Sequence, residues 1–568
     1  MSDRYDVAIL GGGLAGLTLA LQLKRARPDV SIVVAEKRKG PAPLAAFKVG
    51  ESTVEVSAHY FAEVCGLRDH LENDQIVKAG LRFFMPTRDN RDIARRVEWG
   101  SPAIPPFHSY QLDRGLFENE LADRCRAHGV DIWDGAFVTD VDLSKDGHTV
   151  TVVRGGPGGE ESTATSRWVV DACGRAFLLK RKLDLLKDIE HTINSSWLRL
   201  KGGLVIDDWS DDATWQQRLM QPRIRHQSTN HLLGKGYWVW LIPLSSGSIS
   251  IGICADPRFH PYERIETLDG AIDWLNEYEP QVGEAVDSRR DDIEDFLKVE
   301  DFAYGAKRVY SPDRWALTGE AGPFADPFYS PGSDYIALGN GCITDLIVRD
   351  LDGEPIDERV EQFNDMFLES FDWVMTFYTR QYEVWGNPQV MSAKLSWDFL
   401  VYWGLKAVRF VHGVWHDPEF MAEVREDLVR GHKLNARMQE FFREWNAIDD
   451  REAEGRHVSP VAFPGLVQRH LDLETPMDRE AVKKRIPENV EFMEAVAVVY
   501  FHKAAENLPD GAPAEDTTIN PYAIGLDPSR WEDDGLFDGT GLTLEQALAK
   551  AQGIESLWLD KLAVSVGA

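Results

Sequence analysis

The stretch Tyr5–Gly16, YDVAILGGGLAG, decides the fold: a short apolar run enters a glycine-rich turn. The run is rich in β-forming residues and predicts a buried strand, and the glycines that follow have the spacing GxGxxG. Apolar residues recur at helical spacing from Leu14 to Leu23, and Ser31–Ala35, SIVVA, predicts a second strand that ends at Glu36. A strand, a helix and a strand in this order predict a βαβ unit of the dinucleotide-binding type.

Each glycine of this turn has its own task in dinucleotide binding. Gly11 allows the tight turn, Gly13 lets the backbone approach a pyrophosphate at the helix N-terminus, and Gly16 permits close packing of helix on strand. Glu36 lies twenty residues beyond Gly16 and can accept the ribose hydroxyls. We therefore expect Gly11, Gly13, Ala15, Gly16 and Glu36 to bind the cofactor; the alternative is an ordinary glycine-rich turn between strand and helix.

The composition is that of a folded protein with a strongly acidic surface. The 568 residues are 43% apolar and 27% charged, which is typical of globular chains. With 93 acidic against 62 basic residues the net charge is −31, so nucleic acid and anionic lipid are repelled. The five cysteines lack metal-ligand spacing, so we expect neither disulfides nor a metal site. A polar start and the lack of a long apolar run predict a cytoplasmic protein without nucleic-acid or membrane partners.

Two later strand ends also carry acidic residues. They are Trp168–Arg175, WVVDACGR, and Trp315–Pro323, WALTGEAGP. Both resemble fingerprints of the FAD-dependent aromatic-hydroxylase superfamily, and Tyr110–Phe117, YQLDRGLF, resembles its segment leading into a helix beside the flavin. Glu320 stands where that family usually has an aspartate. The resemblance implies that FAD, rather than NAD, is the cofactor and that its contacts include Arg114, Asp171, Gly319 and Glu320.

A strand with two alternating tryptophans follows at Gly236–Pro243, GYWVWLIP. Trp238 and Trp240 are two residues apart and therefore point to the same face of a strand, where they form a rigid apolar wall, and Pro243 ends the ladder. A core strand of a sandwich is the alternative. The string WxWxIP resembles the signature of flavin-dependent halogenases, and the resemblance implies that the wall separates the flavin from the organic substrate.

A second similarity to the halogenases lies between the second strand and the tryptophan strand. Gly50–Thr53, GEST, resembles a turn of that family, and Lys78 falls where its active-site lysine is expected. The resemblance implies that Gly50, Glu51, Ser52 and Thr53 contact the cofactor. The ammonium of Lys78 has three donors and can hold hypohalous acid or form a haloamine, effects that burial strengthens by lowering its pKa. A solvated surface lysine is the alternative.

The third similarity is the segment Asp326–Ser333, DPFYSPGS, which resembles the loop that carries the halide site. Tryptophan halogenases place a glutamate in this loop to act with the lysine, whereas this chain has Tyr329, as in the members that act on phenols and pyrroles. Pro331 has no N–H, so halide binding would fall to the amides of Gly332 and Ser333. The alternative is a Pro-Gly turn in a non-halogenating relative.

Two further side chains are candidates for contact with substrate or flavin. His108 precedes the Tyr110 segment and can act as a base for a phenol proton, although an ordinary loop histidine is the alternative. Asn340 is a candidate flavin or substrate contact.

The predicted fold class is α/β, with two units. Residues 1–345 hold a Rossmann-like FAD-binding layer and an antiparallel sheet over the substrate region. Residues 346–568 form a mainly helical C-terminal domain, with an extended segment near 507–534. The tryptophans of its helices are expected in the core; the alternative is that some of them line an aromatic substrate pocket.

The residues and resemblances together predict a two-component FAD-dependent halogenase. Reduced FAD, oxygen and chloride or bromide would form hypohalous acid, and Lys78, Trp238, Trp240 and Tyr329 would direct it to a phenolic small molecule, free or bound to a carrier protein. A separate flavin reductase would be a partner because we find no nicotinamide site. The alternatives are a monooxygenase that hydroxylates or epoxidises an aromatic compound, and a non-catalytic flavoprotein that binds a partner through its helical domain.

Overall fold

A computed structural model describes residues 3–44, 49–155 and 158–564. The strands, numbered in chain order, are β1 (Asp3–Leu10), β2 (Ile32–Glu36), β3 (Ile76–Lys78), β4 (Leu81–Phe84), β5 (Glu98–Trp99), β6 (Ser109–Gln111), β7 (Asp131–Asp134), β8 (Ala136–Asp142), β9 (His148–Arg154), β10 (Glu160–Asp171), β11 (Leu186–Lys187), β12 (Asn194–Leu200), β13 (Thr229–Gly234), β14 (Tyr237–Pro243), β15 (Ile249–Ala255), β16 (Ile293–Val299), β17 (Gly305–Ala306), β18 (Tyr310–Ser311), β19 (Trp315–Leu317) and β20 (His457–Val458).

The helices of the described residues become longer in the second half of the chain. They are α1 (Leu14–Ala26), α2 (Glu55–His59), α3 (Arg68–Asp74), α4 (Arg114–Ala127), α5 (Leu178–Lys182), α6 (Ala213–Gln216), α7 (Leu268–Tyr278), α8 (Pro280–Asp287), α9 (Gly332–Leu351), α10 (Asp357–Met375), α11 (Pro388–Val401), α12 (Val408–Val411), α13 (Pro418–Glu423), α14 (Arg425–Ile448), α15 (Pro464–Glu474), α16 (Arg479–Ala505) and α17 (Leu544–Lys550).

The first sheet confirms the predicted βαβ unit. Its order is β18-β19-β10-β1-β2-β7, and β1 lies between β10 and β2 with both neighbours parallel. In this register Leu10 pairs with Ala35 and with Asp171, and Asp171 pairs with Leu317 on β19. The glycine turn and both later acidic turns therefore leave the sheet at the same carboxyl edge, where open α/β sheets bind their ligands.

The second sheet has the order β16-β12-β15-β14-β13-β4-β5-β20 and is mostly antiparallel, as predicted. Every residue of β12 to β15 is buried, because both faces of the sheet are covered. One face packs on α7 and α8 in a separate apolar cluster, and the other face meets the main core. The tryptophan strand β14 is thus a central strand between two packed layers.

The helical region shares one core with the dinucleotide sheet. Trp385, Trp397, Trp415 and Trp445 are almost completely buried in it, as expected. The division at residue 345 stays a prediction, because α9 carries the chain across that position without a break. Residues 507–534 hold one short helical turn, Pro528–Arg530, among loops. None of the described helices is both long and apolar enough to cross a bilayer.

One predicted helix ends earlier than its sequence period indicates. Apolar periodicity runs from 357 to 385, but α10 stops at Met375 and the backbone of Arg380 takes a positive φ of 58°. The residues that follow leave the helix to meet the tryptophan strand and the segment Asp326–Ser333: the Trp385 ring stacks on Phe328 with centroids 4.3 Å apart. Tertiary packing therefore decides where this helix ends.

Candidate active site

The glycine turn after β1 has the geometry that a pyrophosphate needs. Gly11 has a φ of +107°, and a Cβ there would lie 2.5 Å from the carbonyl oxygen of Ala172. A Cβ on Gly16 would lie 2.1 Å from the Gly11 oxygen. Helix α1 begins at Leu14 with no side-chain cap and no acidic residue in its first turn, so its first amides are open to an anion. The residues present fit a dinucleotide.

Two carboxylates lie at the same sheet edge. Glu36 accepts hydrogen bonds from the amide of Gly12 (2.7 Å, Oε2) and from that of Arg38 (2.8 Å, Oε1), which fixes it beside the glycine turn. Asp171 accepts from the amides of Cys173 (2.9 Å) and Leu179 (2.8 Å). The Asp171 carboxylate therefore shapes its own turn, and both of its oxygens are engaged.

The third acidic turn approaches the glycine turn closely. Gly319 has a φ of +60°, and a Cβ there would lie 2.8 Å from the Cβ of Ala15. The Glu320 carboxylate lies 3.0 Å from Nε of Arg175, whose guanidinium also lies over the rings of Tyr304 and Phe324. Glu320 is about one-third exposed, at 35%. The Glu320 carboxylate is thus paired with Arg175, but it remains exposed enough to contact a bound cofactor.

Contacts from two arginines, Arg114 and Arg199, hold the segment Gly50–Thr53 in place. Arg114 donates to the carbonyl of Val49 at 2.6 Å and to Glu118 at 2.7 Å. Glu51 is buried, and it accepts from Nη2 of Arg199 at 2.8 Å. Arg114 and the Glu51 carboxylate therefore position this segment through protein contacts.

Lys78 lies at the end of β3 and is buried, with 1% of its surface exposed. Its Nζ donates to Oγ of Ser52 at 2.8 Å and to the carbonyl of Thr53 at 2.5 Å. Burial lowers the pKa of Lys78 to about 7, although the negative charges of Glu55 and Asp334 oppose this shift. Lys78 is therefore not a solvated surface charge, and both protonation states are accessible near neutral pH.

A single hydroxyl connects Lys78 to the expected halide loop. Oγ of Ser52 lies 2.8 Å from Nζ of Lys78 and 3.0 Å from Oγ of Ser330. Ser330 has a positive φ of 57°, and α9 begins two residues later at Gly332 with no side-chain cap. The amides of Gly332 and Ser333 thus lie in the first turn of a twenty-residue helix, a position that favours an anion.

The two tryptophans of β14 lie side by side, with ring centroids 5.6 Å apart. Trp238 meets Phe328 of the loop edge to face at 5.2 Å, and its Nε1 donates to the hydroxyl of Tyr382 at 3.1 Å. That hydroxyl donates to Oδ2 of Asp326 at 2.6 Å. The wall is therefore fixed to the loop through Tyr382. Sequence reasoning missed this residue because no local pattern distinguishes it.

Gly252 makes room for the other tryptophan, and its replacement by alanine is expected to displace the Trp240 indole. It lies opposite Trp240 in the register of β14 and β15, and a Cβ there would be 2.0 Å from the ring. Overpacking of this kind costs about 1–3 kcal/mol, so thermal unfolding should shift downwards and tryptophan fluorescence should change. Gly339→Ala, where the nearest atom would be 3.5 Å away, should cause neither change.

Tyr329 takes part in a closed polar cluster that reaches into the helical region. Its hydroxyl donates to Oδ2 of Asp398 at 2.7 Å, the same oxygen accepts from Nζ of Lys394 at 2.7 Å, and Oδ1 accepts from Gln439 at 2.7 Å. Burial and the charge of Asp398 raise the pKa of Tyr329 well above its usual value. The Tyr329 side chain is thus a neutral phenol whose O–H already donates a hydrogen bond to Asp398.

A pocket lies between this loop and the helical region. It is lined by Val54, Leu81, Tyr329, Pro331, Asp334, Val374, Phe377, Tyr378, Asp398, Phe399, Tyr402 and Lys406. Asp334 accepts from the amide of Ser57 at 2.9 Å and from the hydroxyl of Tyr402 at 2.7 Å. Sequence reasoning missed Asp334, Tyr402 and Lys406. The only local signal is that Asp334 directly follows the loop.

His108 and Asn340 lie outside this pocket. His108 is 39% exposed, and its Nδ1 lies 3.2 Å from Glu72 in a surface pair. Asn340 donates to the carbonyl of Ala15 and accepts from Thr318 at 2.6 Å, so it ties α9 to the cofactor turn.

Two known families match the sequence. The NAD(P)-binding Rossmann-like domain matches residues 9–73, and the tryptophan halogenase family matches residues 84–387. The latter match includes the tryptophan strand and the loop before α9.

Relatives with assigned activities and solved structures agree with this match. The flavin-dependent halogenase chlA of Dictyostelium discoideum is 29% identical over 73% of this chain and 72% of its own. A chlorinase of Pseudomonas fluorescens, named for 1H-pyrrole-2-carbonyl on a peptidyl-carrier protein, is 25% identical over 60% of this chain and 75% of its own. The halogenase PltM has a similar fold, with a TM-score of 0.62, 16% identity, and coverage of 87% of this chain and 96% of its own. Because the family match spans more than half of the 568 residues, this chain belongs to the tryptophan halogenase family, a family of flavin-dependent halogenases.

Proposed function

We propose that this protein is a two-component halogenase that receives reduced FAD from a separate reductase and halogenates a phenolic compound through Lys78. The observation that carries the proposal is the buried Lys78 ammonium, linked through Ser52 to the loop that opens α9. When bound, reduced FAD together with oxygen supplies the oxidising power that converts chloride or bromide into hypohalous acid.

The cofactor site is proposed at the carboxyl edge of the first sheet. The open first-turn amides of α1 suit a pyrophosphate, and the Glu36 carboxylate is fixed beside them for a ribose. Glu320, in the acidic turn after β19, is partly exposed and lies at the same sheet edge. The full set of proposed contacts is Gly11, Gly13, Ala15, Gly16, Glu36, Gly50, Glu51, Ser52, Thr53, Arg114, Asp171, Gly319 and Glu320.

The amides of Gly332 and Ser333 are proposed to hold the halide. A helix N-terminus carries about half a positive charge, and Pro331 immediately before it offers no N–H. The Oγ of Ser330 lies in the same loop and contacts Ser52, so a product formed at the halide has a short polar connection to Lys78.

Lys78 is proposed to hold hypohalous acid with its third N–H. Two of its three donors are used by Ser52 and Thr53, which fixes the direction of the remaining one. A hydrogen bond to the hypohalous oxygen makes the halogen more electrophilic toward an aromatic ring. Trp238 and Trp240 form the apolar wall that keeps the substrate away from the flavin.

The proposed substrate is phenolic because the loop presents a hydroxyl in place of the carboxylate of the tryptophan halogenases. Tyr329 is neutral and its proton is committed to Asp398. A phenol ring is already nucleophilic once its hydroxyl ionises, so it depends less on a carboxylate at this position. The pocket beside Tyr329 is lined by Phe377, Tyr378 and Phe399, whose rings can stack on a phenol; its volume of about 30 Å³ requires these side chains to move when the ring binds.

Mass spectrometry of a phenol panel tests the proposal. The protein is incubated with FAD, a flavin reductase, NADH and bromide, with free phenols and the same phenols as thioesters on a carrier protein. We expect brominated product that disappears when halide is omitted. Oxygenated product that persists without halide would contradict halogenation, and product from non-phenolic rings alone would contradict the substrate class.

The pKa of Lys78 predicts how activity depends on pH. The proposed active form is the ammonium, which is present below a pKa of about 7 and is lost above it. We expect kcat/KM to fall by about tenfold per pH unit above pH 7, measured with photoreduced FAD so that the reductase does not contribute. An increase through pH 7 would instead indicate that the free amine, and hence a haloamine, is the active form.

A further inference from the structure

Two polar clusters of similar composition lie at the pocket between the loop before α9 and the helical region. Each contains a lysine, an aspartate and a tyrosine: Lys394, Asp398 and Tyr329 in one, and Lys406, Asp334 and Tyr402 in the other. Residues 394, 398, 402 and 406 follow one another at intervals of four along α11 and the helical turn after it. The helical region therefore supplies residues to both clusters. Residues 402–407 form a π-helical turn, a feature frequent at functional sites.

The first cluster is closed to a ligand. Oδ2 of Asp398 accepts from both Tyr329 and Lys394, and Oδ1 accepts from Gln439. Lys394 is completely buried and also donates to Oε1 of Gln439 at 2.5 Å. This cluster therefore serves to fix Tyr329 and the loop.

The second cluster lines the pocket with two partly exposed side chains, Tyr402 and Lys406, and with Asp334, which is 1% exposed. Among the described residues, no carboxylate oxygen lies within 4 Å of Nζ of Lys406, which rests over the ring of Tyr335 at 4.2 Å. Burial lowers the pKa of Lys406 to about 8, so the group is still mainly cationic at neutral pH. Lys406 is thus a cation without a carboxylate partner among the described residues.

Asp334 has the remaining capacity to bind a hydroxyl. Oδ1 accepts from the amide of Ser57 and Oδ2 accepts from Tyr402, so each oxygen keeps a lone pair. Burial raises the pKa of Asp334 to about 6, partly offset by the charge of Lys406. The carboxylate is therefore ionised at neutral pH and is a stronger base than an exposed aspartate.

We propose that Asp334 and Lys406 bind the phenolic hydroxyl of the substrate, with Asp334 accepting its proton and Lys406 stabilising the phenolate. This inference rests on the proposed function and deepens it, because it assigns the base that Tyr329 cannot supply. The substrate class becomes a phenol whose hydroxyl points toward the helical region while its ring faces Lys78.

The reaction balances with hypohalous acid as the only oxidant. As the phenol O–H proton passes to Asp334, the ring carbon forms a bond to the halogen and the oxygen–halogen bond breaks, which releases hydroxide. The ring C–H proton then leaves to the hydroxide and gives water. The phenol oxygen recovers its proton from Asp334, so that the net change is phenol plus hypohalous acid to halophenol plus water.

The test compares Asp334→Asn with wild type on phenols of different acidity. For a phenol that is neutral at the assay pH, we expect kcat/KM to fall by about 10²-fold, the contribution of a general base. For a polyfluorinated phenol that is fully ionised at the assay pH and keeps one ring C–H, the loss should be less than about fivefold, because no proton needs to be removed from its oxygen. Asp345→Asn, at a partly exposed aspartate that pairs with Arg349 and Arg359 outside the pocket lining, is the matched control and should leave both rates unchanged.

Lys406→Met provides a second variant in case Asp334→Asn does not fold. It should raise KM for the ionised phenol by about tenfold or more, since it removes the partner of the phenolate. Equal losses on neutral and ionised phenols with Asp334→Asn, or an unchanged KM with Lys406→Met, would overturn this inference while wild type still halogenates. Failure of wild type to halogenate any phenol would instead overturn the proposed function.

Discussion

Replacing Lys78 with methionine is expected to lower halogenation by about 10³-fold while folding and FAD binding persist. The variant removes the three donors of the ammonium but keeps a chain of similar length in the buried site. Hypohalous acid then has no fixed donor, and its halogen is no longer directed to the ring. Loss of a single oriented donor costs about 10²–10³-fold in other enzymes, and in the proposed mechanism the same group also sets the direction of transfer.

The stability of this variant separates a catalytic role from a structural one. Burial disfavours the charged form of Lys78, so the folded protein carries a penalty that is present below pH 7 and is relieved as pH rises toward the ordinary lysine pKa. Lys78→Met should therefore unfold at the same temperature as wild type or higher at pH 6. Lys145→Met, at an 87% exposed side chain, is the matched control and should retain activity. Retained, halide-dependent activity in Lys78→Met would contradict the assigned role.

Replacing Glu98 with alanine is expected to destabilise the protein by about 3–5 kcal/mol, a large part of the total stability of a typical folded domain. Glu98 is fully buried on β5 and accepts from Arg82 at 2.6 Å, from Arg225 at 2.8 Å and from Arg218 at 3.2 Å. All three guanidinium groups are themselves at most 2% exposed. Alanine at this position leaves three buried cations with their shared anion removed, and Asp207, 3.6 Å from Arg225, is too far to compensate for it.

The ionisation of Glu98 gives this prediction a pH dependence. Burial alone would raise its pKa, but Arg225 and Arg82 hold the pKa far below its usual range. Its contribution is therefore complete above the ordinary glutamate pKa and is lost as pH falls below it. Urea unfolding at pH 7 measures the effect. Glu354→Ala, which breaks an exposed pair with Arg349, should cost less than about 1 kcal/mol. If Glu98→Ala also lowered the free energy of unfolding by less than about 1 kcal/mol, the role of the buried ion-pair network would be contradicted.

Local sequence was sufficient wherever a backbone requirement or a strict period carried the information. The turn Gly11–Gly16 is confirmed because positive φ and close backbone approach demand glycine. The alternation in Gly236–Pro243 places Trp238 and Trp240 on one face of β14, as predicted. The burial of Lys78 agrees with its apolar neighbours Ile76, Val77 and Ala79.

Local sequence was insufficient where the partners are far apart along the chain. The contact of Tyr382 with Asp326, and that of Tyr402 with Asp334, each join residues more than fifty positions apart along the chain. The end of α10 at Met375 depends on the same packing, since the stacking of Trp385 on Phe328 replaces further helical turns. Neither periodicity nor composition of the sequence identifies these residue pairs, because only the packing of the helices on the sheets brings them together.

The sequence by itself determined the dinucleotide edge, the tryptophan face and the position of Lys78, because each follows from constraints within a few residues. Only the tertiary structure decided which charges surround that lysine and which polar side chains line the pocket beside Tyr329. Buried ionisable residues such as Glu98, Asp334 and Lys394 run against their ordinary preference for water, so local sequence predicts them at the surface. Their burial becomes favourable only when partners from distant segments are brought within hydrogen-bonding distance by the packing of helices on the two sheets.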